Sequence, residues 1–189
     1  MKPNQISAAI LAGGFSSRMG RDKALLKING QTLLEIQVSR LQRLGISDIL
    51  LSGTGIRATG ARNVGDIYPH RGPISGIHAC MLEAVFPALL VISVDVPLIP
   101  DETLRQLVLA HEGGITVLKH GDRVEPLMAV YDCRLAGEAE RILKSEKTAV
   151  FRLMEVSLPR LCPYDGDERL LAGCNTPEEY LRIQMVQEQ

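Results

Sequence analysis

Leu89-Leu90-Val91-Ile92-Ser93-Val94-Asp95-Val96-Pro97-Leu98-Ile99-Pro100 is the stretch on which the fold turns. Five residues with almost no polar interruption are too short for an isolated helix and suit a strand buried on both faces. The run leads straight into an acid and two prolines, which cannot continue a central strand. A second compact apolar run, Ile6 to Leu11, stops at Gly13-Gly14 and reads the same way.

Helical signals alternate with these strands. Thr32-Leu-Leu-Glu35 has the form of a capping box, followed by Leu34, Val38 and Leu41 at helical spacing until Gly45. Ile49 to Ser52 is a further strand, and glycines at 53, 55, 60 and 65 leave room for one short strand in a looped stretch. Pro73 to Val85 returns to helix character. Leu104, Leu107, Val108 and His111 share one face behind Asp101, which is expected to act as an N-cap. Gly114 to Lys119 and Val124 to Tyr131 are strands across the turn-like His120-Gly-Asp122, and Leu135, Ala139, Ile142 and Leu143 form another helical stripe. Leu158 to Cys162 is a weak strand, and Thr176-Pro-Glu-Glu179 opens a final helix with Pro at N1 and a second capping box.

Strand and helix exchanging this often imply βαβ crossovers. The expected fold is an α/β, single-domain, Rossmann-like three-layer sandwich over residues 1–189, its mostly parallel central sheet covered on both faces. The 189 residues suit one domain, and no internal repeat, low-complexity tract or linker divides them. Ligands on such sheets bind beyond the carboxyl ends of the strands. That rule selects Ala12 to Lys23, Ser52 to Thr54 and Ser93 to Pro97.

Composition excludes several functions. With 21 basic against 22 acidic residues and a net charge of −1, a dedicated nucleic-acid binder is not expected. Aromatic residues make up 4% and there is no Trp, so base-stacking platforms are not expected either. Cys80, Cys133, Cys162 and Cys174 form no C-x-x-C pair, which argues for reduced thiols over a zinc ribbon or disulfide scaffold. Cys133 and Cys174 read as small packing residues, with a place at the border of a binding pocket as the alternative for Cys174, which stands beside Asn175. The four histidines lack metal-ligand spacing, and His111 reads as a surface or helix-end residue. The short apolar run after Lys2 is followed closely by Arg18, Arg21 and Lys23, a poor signal peptide, and no run reaches the ~18 apolar residues of a membrane span. No membrane association and a cytoplasmic location are expected.

The segment Leu11-Ala-Gly-Gly-Phe-Ser-Ser-Arg-Met-Gly-Arg-Asp-Lys23 combines glycines, hydroxyls and cations directly after a strand. Gly13 and Gly14 let backbone amides approach phosphate oxygens, and Arg18 and Lys23 supply charge. The spacing is neither that of a P-loop nor that of a dinucleotide fingerprint; a flexible turn bearing solvated cations is the plain alternative. Asp95, at the end of the most apolar strand, is placed to hold Mg²⁺ through oxygen, although an acid there also suits a cap or turn. Asp66 is equally open from its local sequence, which would also suit a loop carboxylate.

Together these segments resemble the molybdenum cofactor guanylyltransferases, nucleotidyltransferases that attach GMP to molybdopterin. The resemblance spans nearly the whole chain. The family signature L-A-G-G-x-S-x-R-M-G-x-D-K is matched from Leu11 to Lys23, with further matches at Gly65-Asp66, Gly72-Pro-Ile-Ser-Gly76, Asp95-Val-Pro-Leu-Ile-Pro100, Glu125-Pro-Leu127 and Asn175-Thr-Pro-Glu-Glu179. It implies a nucleotide-diphospho-sugar transferase-like fold. It also implies nucleotide contacts from Leu11, Ala12, Gly13, Gly14, Lys23, Asp66 and Asp95, metal binding by Asp95, and catalytic roles for Arg18, Lys23 and Asp95. Glu125, Pro126 and Asn175 would face the pterin acceptor. Ser52 stands where family members often carry Asn, and offers a hydroxyl to the nucleotide in place of an amide.

The implied cofactor is Mg²⁺. The implied partners are GTP, molybdopterin or molybdenum-molybdopterin, molybdenum-insertion proteins and recipient molybdoenzymes. The same chemistry with CTP or a sugar phosphate is the nearest alternative, and a non-catalytic nucleotide- or cofactor-binding adaptor is the alternative from another class.

Overall fold

The computed structural model describes residues 1–13, 23–53, 55 and 57–187. Gly14, Arg18 and Thr54, singled out above, lie outside the described residues. Nine strands are described: β1 (Ser7–Leu11), β2 (Lys27–Ile28), β3 (Gln31–Thr32), β4 (Asp48–Ser52), β5 (Arg62–Val64), β6 (Ala88–Ser93), β7 (Ile115–His120), β8 (Arg123–Asp132) and β9 (Arg160–Pro163). Six α-helices accompany them: α1 (Leu33–Arg43), α2 (Pro73–Glu83), α3 (Asp101–Leu109), α4 (Ala136–Leu143), α5 (Phe151–Val156) and α6 (Pro177–Gln187).

Seven strands form one sheet in the order β5-β4-β1-β6-β8-β7-β9. Every neighbouring pair is parallel except those made by β8, which runs antiparallel to both β6 and β7. The exception has a local cause. His120 pairs with Arg123, so Gly121 and Asp122 close a two-residue hairpin, and Gly121 adopts a φ of 54°. The hairpin then lies with β8 against β6.

Alternate residues of the central strands enter two separate cores, which is why β1 and β6 read as unbroken apolar runs. Ala8, Ile10, Leu90 and Ile92 pack with Leu34, Val38 and Leu41 of α1 and Leu104 and Leu107 of α3. Ala9, Leu11, Leu89 and Val91 pack on the other face with Ile74 and Ile77 of α2 and Ala139 and Leu143 of α4. The three-layer sandwich is therefore as expected.

Both capping boxes form. Thr32 Oγ1 accepts from Glu35 N at 3.1 Å while Glu35 Oε2 accepts from Thr32 N at 2.7 Å. Thr176 and Glu179 repeat the exchange at 3.2 and 3.0 Å. One expectation fails and another holds in part. Asp101 is not an N-cap: Pro100 takes that position without a side-chain cap, and Asp101 begins α3 with its carboxylate accepting from Arg40 Nε at 2.9 Å and Arg43 Nε at 3.0 Å. Two guanidiniums from a neighbouring helix outcompete a local amide for that acid. His111 stands just beyond the C-terminal end of α3, one of the two positions expected of it, but it is not at the surface: it is buried beside Thr116, with Nδ1 3.1 Å from the threonine hydroxyl, and burial lowers its pKa, favouring the neutral ring.

Candidate functional site

Three parallel strands end level with one another, because Leu11 pairs with both Ser52 and Ser93. Beyond that row the chain leaving β1 is stitched to both neighbours. Ala12 N donates to Ser52 O at 2.8 Å, and Val94 N donates to Leu11 O at 3.1 Å. Gly13 and Gly53 then meet backbone to backbone. A Cβ on Gly53 would lie 3.0 Å from Gly13 N and 3.1 Å from Ala12 C, and Gly53 has a φ of 145°. Gly53→Ala is accordingly expected to cost about 1–3 kcal/mol of stability, measurable as a lower urea midpoint; an unchanged midpoint would mean that the two turns are not in contact.

Ser52 joins a second residue of the expected site. Its hydroxyl lies 3.4 Å from Asp66 Oδ1, a long hydrogen bond from β4 to the loop after β5. The same hydroxyl rests on α2, where a Cβ on Gly76 would stand 2.2 Å from it. The glycine of the Gly72-Pro-Ile-Ser-Gly76 motif thus leaves the space that Ser52 fills.

Lys23, Asp95 and Asn175 come together from three remote parts of the chain. Lys23 opens a 3-10 turn, and its Nζ donates to Asp95 Oδ2 at 3.2 Å and to Asn175 Oδ1 at 2.6 Å. Ser93 Oγ donates to the other carboxylate oxygen, Oδ1, at 2.5 Å. The backbone carbonyl of Asp95 accepts from Cys174 N at 2.8 Å, which fixes the segment before α6 against the turn after β6. Asn175 is fixed from its other side by its own N–H, which donates to Glu179 Oε2 at 2.7 Å. Gly173 allows this approach, since a Cβ there would meet Asn175 Nδ2 at 2.7 Å. Burial, reinforced by the charge of Asp95, pushes the Cys174 thiol up to about 11. It is a neutral, buried packing group at neutral pH, as its sequence context suggested.

The side chains of Lys23 and Asp95 are 22% and 18% exposed, open enough to meet a ligand yet shielded enough for charge to matter. Lys23 Nζ bridges one oxygen of the Asp95 carboxylate and the Asn175 amide oxygen, and the carboxylate is the kind of hard oxygen donor that suits Mg²⁺ or Mn²⁺. No group of three or more His, Cys, Asp or Glu side chains that could hold a metal ion occurs among the described residues. A single carboxylate suits Mg²⁺ that arrives with phosphates, which usually takes one or two protein carboxylates and fills its other positions from phosphate oxygens and water.

Glu125 and Pro126 lie on β8, beyond its last pairing with β6, that of Met128 with Ile92. There β8 departs from regular pairing with β7: Val117 opposes Ala129, but Leu118 opposes Glu125. The buried Tyr131 hydroxyl donates to Pro126 O at 2.7 Å and braces this bulge.

Sequence reasoning did not single out Gly173, Gln37 or Arg40, although all three shape the Asp95 turn; Ser93 fell within the selected Ser93–Pro97 stretch, without a role of its own. Gln37 left a trace: it occupies the i+3 slot of the stripe Leu34, Val38 and Leu41, where a core residue is expected.

A model of the MobA-like NTP transferase domain matches residues 8–159. The chain is 32% identical to a probable molybdenum cofactor guanylyltransferase of Pelotomaculum thermopropionicum, over 97% of this chain and 94% of that one. In structure it resembles molybdopterin-guanine dinucleotide biosynthesis protein A of Archaeoglobus fulgidus, with a TM-score of 0.79 and 22% identity over 96% and 98% of the two chains. It also resembles a Mycobacterium tuberculosis protein solved in complex with manganese, with a TM-score of 0.73 and 20% identity over 96% and 98%.

Proposed function

The chain belongs to the MobA-like NTP transferase family, and on that premise we propose that it transfers GMP from GTP to the terminal phosphate of molybdopterin, with or without molybdenum, releasing pyrophosphate. The observation that carries this reading is the meeting of Lys23, Asp95 and Asn175 at the carboxyl end of the sheet. An acceptor phosphate oxygen forms a bond to the α-phosphorus of GTP as the bond to the pyrophosphate oxygen breaks. The nucleophile is a phosphate monoester with a second pKa of about 6, already largely dianionic at neutral pH, so no general base is required.

The protein's task is to bring two anions together. Lys23 sets a positive charge at the reacting phosphates, and the backbone at Leu11, Ala12, Gly13 and Gly14, with Arg18, cradles the polyphosphate. Ser52 and Asp66 face the guanosine, while Glu125, Pro126 and Asn175 face the pterin. Asp95 would hold Mg²⁺, whose charge, when bound, neutralises the triphosphate and the departing pyrophosphate. The divalent metal finds support in the oxygen donors at Asp95 and in the manganese of the mycobacterial relative. Residues 1–189 act as one nucleotidyltransferase domain in this reading, and a cytoplasmic setting, where GTP is supplied, belongs to it. Molybdenum-insertion proteins and recipient molybdoenzymes are the partners that the product implies.

Pyrophosphate release with GTP, CTP or ATP, each with molybdopterin and with or without Mg²⁺, tests the proposal. GTP with Mg²⁺ is expected to be the productive pair. Equal or faster release with CTP would overturn the guanylyl assignment, and nucleotide binding without release from any donor would point to an adaptor.

A further inference from the structure

Helix α1 carries two buried polar side chains that contribute nothing apolar to its core. Gln37 is fully buried and Arg40 is 6% exposed. A buried guanidinium is costly, and an apolar residue of similar size often serves stability as well or better. What these side chains hold is therefore informative. Gln37 Nε2 donates to Ser93 O at 3.2 Å and to Val96 O at 2.9 Å. Arg40 Nη1 donates to Gln37 Oε1 at 2.8 Å, locking the amide in that orientation, and Arg40 Nη2 donates to Pro97 O at 2.7 Å. Three carbonyls of the five-residue turn centred on Asp95 are thus gripped from one helix. Arg40 and Arg43 also hold Asp101, the first residue of α3.

From this geometry, and resting on the reading of Asp95 given above, we propose that Gln37 and Arg40 are positioning residues that aim the Asp95 carboxylate at its cation. Among the described residues, Ser93 Oγ and Lys23 Nζ are the groups that reach the carboxylate itself, and Lys23 must also serve the phosphates. The backbone that carries Asp95 is therefore steadied from α1, whose own start is fixed by the Thr32–Glu35 capping box. Groups that orient a metal ligand commonly change metal affinity about 10- to 100-fold when removed.

The test is Mn²⁺ binding to the full chain with GTP and no acceptor, read from the electron paramagnetic resonance signal of free Mn²⁺ as the uptake beyond that of the same GTP without protein, so that neither chelation by the nucleotide nor turnover plays a part. Gln37→Met and Arg40→Met are expected to weaken Mn²⁺ by about tenfold or more, and Arg40→Lys, which keeps a donor, by less. Val38→Ala, a packing loss in the same helix, should lower the melting temperature and leave Mn²⁺ affinity within about twofold, because it touches no orienting bond. Metal affinities of Gln37→Met and Arg40→Met matching that of Val38→Ala would overturn the proposal. Should Arg40→Met fail to fold, Gln37→Met, which removes no charge, decides alone. Asp95→Asn in the same titration separates the two claims: if it leaves Mn²⁺ binding unchanged, the carboxylate is not the metal ligand and both fall. If it abolishes binding while Gln37→Met does not weaken it, only the positioning role is lost.

Discussion

An Asp95→Asn enzyme is expected to form almost no dinucleotide and to lose its response to added Mg²⁺. The substitution preserves size and backbone, so β6 and its turn should keep their place, but it removes the charge and presents an NH₂ to partners that are themselves donors. Ser93 Oγ and Lys23 Nζ both give hydrogen bonds to the carboxylate. An amide oxygen can satisfy one of them, and its nitrogen then opposes the other. One unit charge about 4 Å from a cation is worth about 4 kcal/mol at an effective dielectric near 20, equivalent to about 10³ in rate. With the Asp95 side chain only 18% exposed, solvent recovers little of that. Initial rates across a Mg²⁺ titration at fixed GTP would check it. A variant with the parental half-saturating Mg²⁺ concentration would place the cation elsewhere.

The parts of this architecture that were legible in the sequence are those whose signals are local. Both capping boxes and the Gly121-Asp122 hairpin are written within a few adjacent residues, and β1 and β6 are apolar throughout because each face meets its own helical layer. The site was legible for a different reason. Strand ends in a mostly parallel sheet lie side by side, so the residues after β1 and β6 had to converge, and the family resemblance singled out Lys23, Asp95 and Asn175 among them. What could not be read depends on which helix lies against which turn. Asp101 has the local form of an N-cap, and only the placement of α1 across the sheet gives its carboxylate to Arg40 and Arg43. Gln37 and Arg40 look like defects in an amphipathic stripe until the Ser93–Pro97 carbonyls are seen facing them. His111 shared a helical face with apolar residues, but nothing in sequence revealed Thr116 as its buried partner. At six residues, α5 is too short for a periodic signal.

Lys23→Ala is expected to lower turnover by about 10²- to 10³-fold at saturating GTP and Mg²⁺. The amine is held by two oxygen acceptors, so it stands ready at the site and needs little ordering when the phosphates arrive. Removing it costs one positive charge where two anions must meet, and water filling the space returns part of the loss, which keeps the effect below that of Asp95→Asn. Lys23→Arg separates charge from shape. A guanidinium restores the charge but presents a planar fork where a compact ammonium bridged a carboxylate and an amide, so partial recovery is expected. The contact between Lys23 and Asp95 also has a purely architectural reading, in which the lysine is a strut between the turn after β6 and the start of α6. A strut predicts a lower melting temperature in Lys23→Ala with turnover nearly intact. A phosphate-side charge predicts the reverse weighting, with turnover falling far more than the melting temperature and the deficit persisting at any GTP concentration.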